Sequence, residues 1–402
     1  MQFGKIVLTL LALCSGIPSA IASSPCDLRP VGGRIEVPMP LHPLMVATLE
    51  RSCALLVTLS DGHEPSKGAI AVLTVVKGRL AVKAVLDMPT EPVGMVLAAD
   101  ESVAAIAGGS RVYFVDVGKL LKGQANAILG VAEFDKNAGT VSLALSRDER
   151  VLFTSDEEAS TISVIDFAAA RASHFTTTPV LGRISVDWAP TVLRMTPDGT
   201  HVLFAVEAVR RQFKPPILCA GHPGGKAVNP VGAILSFKVG QAAAEPVGAV
   251  LSRSLAGCSP VRLELSKDGQ TAFVTNREEN KLRVMDVAKI LHGESDALVS
   301  EIHVGPAPIG VALVDDDRLA LVTNSNRWGK EQKPQTVEVV DIAGHRRRKP
   351  IVLGKIPVGI FPRDLAVSRD GRTAIVSNFG SNSLTLLDVS KLRALMSRAK
   401  SN

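Results

Sequence analysis

The chain of 402 residues is poor in aromatic side chains, and Tyr113, Trp188 and Trp328 are its only Tyr and Trp. That scarcity argues against a sugar-stacking lectin and against a single-strand nucleic-acid platform built on rows of rings. No Cys-x-x-Cys-His occurs, which excludes covalent c-type haem attachment. The histidines at 42, 63, 174, 201, 222, 292, 303 and 345 form no H-x-H or H-E-x-x-H pattern, so no metal centre can be read from them. A G-x-S-x-G elbow and a phosphate-cradling glycine loop are also missing. No cofactor is therefore expected.

Long apolar runs are absent too. The longest candidate, Ile6 to Cys14, falls well short of the ~18 residues a membrane-spanning helix needs. With Lys5 before it and Ala20-Ile21-Ala22 after it, the segment reads as a cleavable signal peptide over residues 1–22. Cys14 follows Leu13 where a lipoprotein site wants a small residue, which argues against a lipid anchor. The mature chain is expected to start near Ser23 in the periplasm or outside the cell. Loss of Lys5 takes the formal charge from +6 to +5, a mild basicity that does not by itself imply nucleic acid.

What the chain has in abundance is one repeated phrase. It is clearest at Phe361-Pro362-Arg363-Asp364-Leu365-Ala366-Val367, followed by Asp370-Gly371, Ile375-Val376-Ser377-Asn378 and Leu384-Thr385-Leu386-Leu387-Asp388. Aligning the copies on their first turn places a leading residue at Pro43, Pro92, Thr140, Pro190, Pro260, Pro308 and Pro362. Val46, Met95, Leu143, Leu193, Leu263, Val311 and Leu365 stand three residues further on, and an apolar or Thr side chain follows two later. Period-two spacing marks a strand with a buried face. Turns such as Pro197-Asp198-Gly199 supply hairpin chemistry. A third strand ends in Asp116, Asp166, Asp286, Asp341 or Asp388, and a fourth leads to the next copy.

Four antiparallel strands per unit, repeated seven times, predict an all-β, seven-bladed β-propeller over residues 34–389. Residues 23–33 form a lead and residues 390–402 a short basic helical tail. The last copy lacks a fourth strand, and Arg34-Ile35-Glu36-Val37-Pro38 resembles the one it lacks, so the N-terminal strand is expected to complete the last blade.

The steps Phe273-Val274-Thr275-Asn276, Leu321-Val322-Thr323-Asn324 and Ile375-Val376-Ser377-Asn378, with the strand-ending aspartates, resemble the YVTN-repeat family. Blades 1 and 2 lack the Thr-Asn step, and blade 4 has Lys238 in place of the aspartate. The resemblance implies an extracytoplasmic propeller and a neighbourhood that includes lactonase-like and haem-containing propeller enzymes.

If the leading strand is innermost, its start and the loop between strands two and three share one face, here called the top. Blade 4 inserts roughly Val209 to Pro230 there, with Arg210, Arg211, Phe213, Lys214, Cys219 and His222, and blade 6 inserts Asn326 to Gln335, with Arg327, Trp328, Lys330 and Lys333. Trp188 also belongs to the top, as does His42. Long loops on a rigid scaffold are where binding residues concentrate. Inner strands are mostly small where they face the channel, but blades 4, 5 and 7 place Arg194, Arg262, Glu264 and Asp364 there, with Arg363 alongside. Such charges form either a solvated ion-pair network or a ligand site, because unpaired burial is costly.

The strand-ending aspartates read as turn caps, and Asn276, Asn324 and Asn378 as the same kind of structural residue. Asp315-Asp316-Asp317 reads as a solvated bottom turn rather than a calcium site. His345-Arg346-Arg347-Arg348-Lys349 and tail residues Lys391, Arg393, Arg398 and Lys400 make a basic bottom, either solvated or weakly attractive to nucleic acid or another anionic polymer.

The leading functional expectation is a monomeric binding scaffold without chemistry of its own. It would take an unidentified protein, peptide or anionic small molecule through Trp188, Arg194, Arg262, Arg327, Trp328, Arg363 and Asp364. The alternative is a lactonase-like hydrolase in which Arg262 polarises a carbonyl and Glu264 or Asp364 activates water. Disulfides follow from strand direction. Cys26 and Cys53 both lie at the bottom, Cys219 and Cys258 both at the top, and a bridge spans at most ~7 Å between Cα atoms, so the pairs are Cys26–Cys53 and Cys219–Cys258.

Overall fold

A computed structural model describes residues 26–63, 67–76, 79–210, 218–220, 226, 229–249, 251–329, 333–346 and 349–394. The signal segment 1–22 lies outside them, as do Arg211, Phe213, Lys214, His222, Lys330, Arg347, Arg348, Arg398 and Lys400. The described residues form seven four-stranded antiparallel sheets, arranged as the expected propeller. Blade 1 runs through His42–Leu49, Ala54–Ser60, Gly68–Val76 and Arg79–Met88. The inner strands of blades 2 to 6 are Met95–Leu97, Thr140–Leu145, Trp188–Met195, Pro260–Leu265 and Pro308–Val314. Blade 7 consists of Pro362–Val367, Thr373–Asn378 and Ser383–Asp388, and its outermost strand is Arg34–Pro38 from the N-terminus. Arg34 pairs with Leu387 and Pro38 with Ser383, so the ring closes as the spare strand foretold.

The residue three past each leading position is buried in every blade, from Val46 through Leu365. Large side chains such as Phe153, Phe204 and Phe237 fill the space between neighbouring sheets. A register shift follows the leading residue in six blades, for example between Pro260 and Arg262 and between Pro362 and Asp364. Such a bulge takes the next carbonyl out of the ladder. Hydroxyls from the second strand of the preceding blade claim it: Ser155 donates to Thr191 O, Thr275 to Ile309 O and Ser377 to Leu44 O, and in blade 2, which lacks the shift, Thr58 donates to the equivalent Val93 O. That is the physical work of the hydroxyl in the repeated Thr-Asn step, at roughly 1 kcal/mol per bond.

Asp116, Asp166 and Asp286 cap short helices by accepting the N–H three residues on, and Asp341 and Asp388 accept from Ala343 and Ser390. Lys238 stands in that position in blade 4, and its helix Val239–Ala244 has no side-chain cap. The asparagines are structural in a different way from the aspartates. Asn276 donates to Ala256 O and Cys258 O, Asn324 to Thr336, and Asn378 to Ser383 and Thr385, all from buried positions.

On the bottom, the third residue of the first hairpin turn is left-handed: Glu101, Glu149, Gly199, Gly269, Asp317 and Gly371. Where it is acidic, its carboxylate accepts backbone N–H groups of the preceding blade. Glu101 takes Glu50 and Arg51, Glu149 takes Ala99, and Asp317 takes Lys267. The run Asp315-Asp316-Asp317 is such a turn, with Asp316 also paired to Lys267. Both expected disulfides are present, with Cα separations of 4.8 Å for Cys26–Cys53 and 5.6 Å for Cys219–Cys258. Among the described residues no helix is long and apolar enough to cross a membrane.

Candidate functional site

The channel charges divide into two levels. Arg194 and Glu264 occupy the fourth position past Pro190 and Pro260, on adjacent blades, and pair at 3.1 Å. Arg262 and Asp364, two past their leading prolines, lie nearer the top. Glu264 is engaged by Arg194, while Asp364 accepts the Val46 N–H from the next blade at 3.4 Å and attracts Arg262 through space. Arg262 donates to Val261 O at 3.1 Å. The neck lined by Met45, Gly94, Ser142, Arg194, Arg262 and Arg363 encloses about 20 Å³, room for roughly one water.

Above the neck the charges are arranged differently. The ends of the second strands bring Glu157 from blade 3, Glu207 from blade 4, Arg277 from blade 5 and Phe379 from blade 7 to the mouth. Arg277 donates to both oxygens of Glu207 at 2.8 and 2.9 Å and lies beneath the Trp328 ring at 5.9 Å. Its buried Nε has no acceptor among the described residues. Arg363, at the bulge of blade 7, is aimed against the rings of Phe361 and Phe379 at 5.6 and 5.4 Å. Phe379 stacks on His42 with centroids 4.6 Å apart, and its carbonyl is 2.7 Å from His42 Nδ1. Phe361 holds a left-handed φ of 49°, which is strained for a bulky side chain.

Arg262, Arg327 and Arg363 have no carboxylate within 4.0 Å among the described residues, and Glu157 has no cation within that distance. Desolvation is the first consequence. Burial holds Arg363 down at about 10, helped by Arg262 and Arg327. It also lowers Arg262, against the attraction of Asp364, and lowers Arg327 together with Arg277. Burial and then Glu207 push Glu157 up, opposed by Arg262, Arg277 and Arg363. Arg262 and Arg363 are largely surrounded by protein while Arg327 is exposed, and a guanidinium without a counter-ion retains donors suited to carboxylate or phosphate.

Other expected residues stand apart. Trp188 is 44% exposed at the start of blade 4, and no ring or cation contact joins it to the mouth among the described residues. The two-residue strands Leu218–Cys219 and Asn229–Pro230 pair within the blade 4 insertion, and the disulfide fastens them beside the start of blade 5. The histidines bring no metal pattern together. The one grouping of candidate ligand atoms among the described residues is Cys219, Cys258 and Glu278, and both sulfurs are committed to each other. Two residues of the basic bottom run are anchored: His345 contacts Thr271 at 2.9 Å and Arg346 donates to Gln270 O at 2.9 Å. The tail begins as the 3-10 turn Val389–Lys391.

Sequence reasoning missed Glu157, Glu207, Arg277, Phe361 and Phe379. For Glu157, Glu207, Arg277 and Phe379 a usable signal existed, since each stands at or just beyond the end of a second strand.

No family model matches the chain, and no curated protein does. Many solved structures are similar in fold, among them the three that follow. A proposed 6-phosphogluconolactonase from Bacteroides fragilis has a TM-score of 0.61 at 13% identity, covering 85% of this chain and 92% of that one. Hydrazine synthase from Kuenenia stuttgartiensis gives 0.56 at 18%, covering 76% and 79%. A functionally unknown protein from Desulfotomaculum acetoxidans gives 0.56 at 12%, covering 80% and 89%. At these identities the likeness defines a seven-bladed β-propeller and nothing finer.

Proposed function

We propose that the chain is an exported, monomeric propeller of the YVTN-repeat type that binds a partner carrying an anionic group at its top mouth. The reading keeps the domain order given above: signal peptide 1–22, lead 23–33, propeller 34–389 and basic tail 390–402. Two disulfides support an oxidising compartment. The observation that carries the binding role is the set of three arginines without contact counter-ions among the described residues, Arg262 and Arg363 lining the narrow neck and largely desolvated, and Arg327 more exposed at its rim. Trp328 contributes a ring and Asp364 positions the inner strands, while Arg194 serves the ring itself through Glu264. The hydrolase alternative is the weaker one, because Glu264 is already paired and the space beside Arg262 is about 20 Å³.

The test is a thermal-shift and calorimetric titration with succinate and inorganic phosphate. A hundredfold excess over Kd stabilises by about 2.7 kcal/mol, and Arg327→Gln with Arg363→Gln is expected to abolish the shift. Absence of any shift in the unsubstituted protein, or an equal shift in the double variant, overturns the reading.

A further inference from the structure

The mouth is polarised as well as charged. Its carboxylates, Glu157 and Glu207, come from blades 3 and 4, and its guanidiniums, Arg277, Arg327 and Arg363, come from blades 5, 6 and 7. In a closed ring of seven, blade 3 faces the seam of blades 6 and 7 across the axis. Resting on the anion-binding reading above, we propose that the ligand is a zwitterion with a free amine and a carboxylate, bound with its amine at Glu157 and its carboxylate at Arg327 and Arg363.

Three observations select this ligand over a plain anion. Glu207 is already satisfied by Arg277 and by Ser259 at 3.3 Å, whereas Glu157 has no cation within 4.0 Å among the described residues. Among the described residues Arg327 and Arg363 likewise lack a carboxylate within 4.0 Å, yet Glu157 acts on Arg327, behind Glu207, and Arg363 acts on Glu157, behind Arg262 and Arg277, through space. The opposed groups are therefore beyond contact but within electrostatic reach, a gap that a small bridging molecule fills. A plain anion would serve the arginines and leave Glu157, Glu207 and Asp364 facing added negative charge. A molecule with both ends compensates the partly buried Glu157 and Arg363 together, and such compensation favours keeping buried groups ionised. The neck of about 20 Å³ keeps the ligand across the mouth instead of along the axis. A dipeptide suits this placement, since an extended residue spans only ~3.3–3.6 Å.

The experiment is calorimetry on the full mature chain with L-alanyl-L-alanine, its N-acetyl derivative, its C-terminal amide, and succinate. The free dipeptide is expected to bind at least tenfold more tightly than either one-ended form. Glu157→Gln is expected to erase the advantage over the N-acetyl form, whose own binding tightens as the repelling carboxylate is removed, and an unchanged circular dichroism spectrum shows that the variant is folded. Arg327→Gln is expected to weaken both carboxylate-bearing peptides about tenfold. If the N-acetyl form matches the free dipeptide while succinate binds, the zwitterion proposal falls and the anion reading stands. If neither succinate nor any peptide binds, both fall.

Discussion

On the bottom face, the carboxylates of Glu101, Glu149 and Asp317 each accept backbone N–H groups from the preceding blade, and Arg369 reaches Glu50 across the closing seam at 3.4 Å. On the top face, Glu157, Arg262, Arg327 and Arg363 meet no opposite charge in contact among the described residues. Both faces are built from the ends of the same strands, so the difference is not one of architecture. Bottom charges are consumed in holding blade to blade. Top charges are held in place by rings, as with Arg363 against Phe361 and Phe379, and are left with bonding capacity to spare. Repeats that spend their polar groups on each other keep fewer free donors for an anion, which supports the proposed binding surface at the top.

Removing the disulfides breaks the comparison most forcefully. Cys26–Cys53 spans 27 residues on the bottom and Cys219–Cys258 spans 39 on the top. Chain-entropy arguments give each about 3.5 to 4 kcal/mol, so the two serine pairs should lose similar stability in urea unfolding. Only the top pair is expected to alter succinate affinity, because Cys258 adjoins Ser259, which donates to Glu207. Equal losses of affinity in both pairs, with the fold intact, would show that the faces are not independent.

A smaller effect separates two turns of the bottom belt. Gly199 and Gly371 hold φ of +75° and +71°, so alanine costs about 1–2 kcal/mol at either from backbone strain. At Gly199 the new Cβ also meets Arg147 Cβ at 3.1 Å, and that arginine donates to Pro197 O at 2.6 Å, whereas at Gly371 nothing lies within 4 Å. Gly199→Ala is expected to be the more damaging of the two. If Gly371→Ala costs as much, the contact between blades 3 and 4 contributes nothing.

The ring was legible because its information is local. Leu263 and Leu265 announce a strand by spacing, Asp268-Gly269 announces its turn, and the unpaired Arg34–Pro38 strand announces closure. Cysteine pairing followed from the same strand directions. The site was less legible because it is assembled across the axis. Glu157 and Arg363 belong to blades far apart in sequence, and only closure brings them within electrostatic reach. Alternation placed Arg262 and Glu264 in the channel but could not tell that Glu264 meets Arg194 on the neighbouring blade. Arg363 owes its direction to a bulge, which pattern does not reveal. Similarly, a hydroxyl in the Thr-Asn step looks like strand propensity until its acceptor in the next blade is seen.

The finest comparison lies within the top face, at the residue ending the second strand. Blades 5, 6 and 7 carry Asn276, Asn324 and Asn378, and blade 3 carries Asp156. Asp156 is fully buried and receives hydroxyls from Thr140, Thr154, Thr161 and Ser163 at 2.9, 3.1, 3.1 and 2.6 Å. Burial raises its pKa above 3.8 despite those four donors. The folded state then holds the proton more tightly than the unfolded chain does. Stability from this group is present in full below the unfolded value and is lost as pH rises through the folded one. Asp156→Asn removes that titration. Asn378 already donates to Ser383 and Thr385, the counterparts of Thr161 and Ser163, so the amide fits the same surroundings. In urea unfolding from pH 4 to 8, wild-type stability minus that of the variant is expected to fall as pH rises. A difference that stays level or grows with pH would mean that the four hydroxyls outweigh desolvation and keep the carboxylate comfortably ionised.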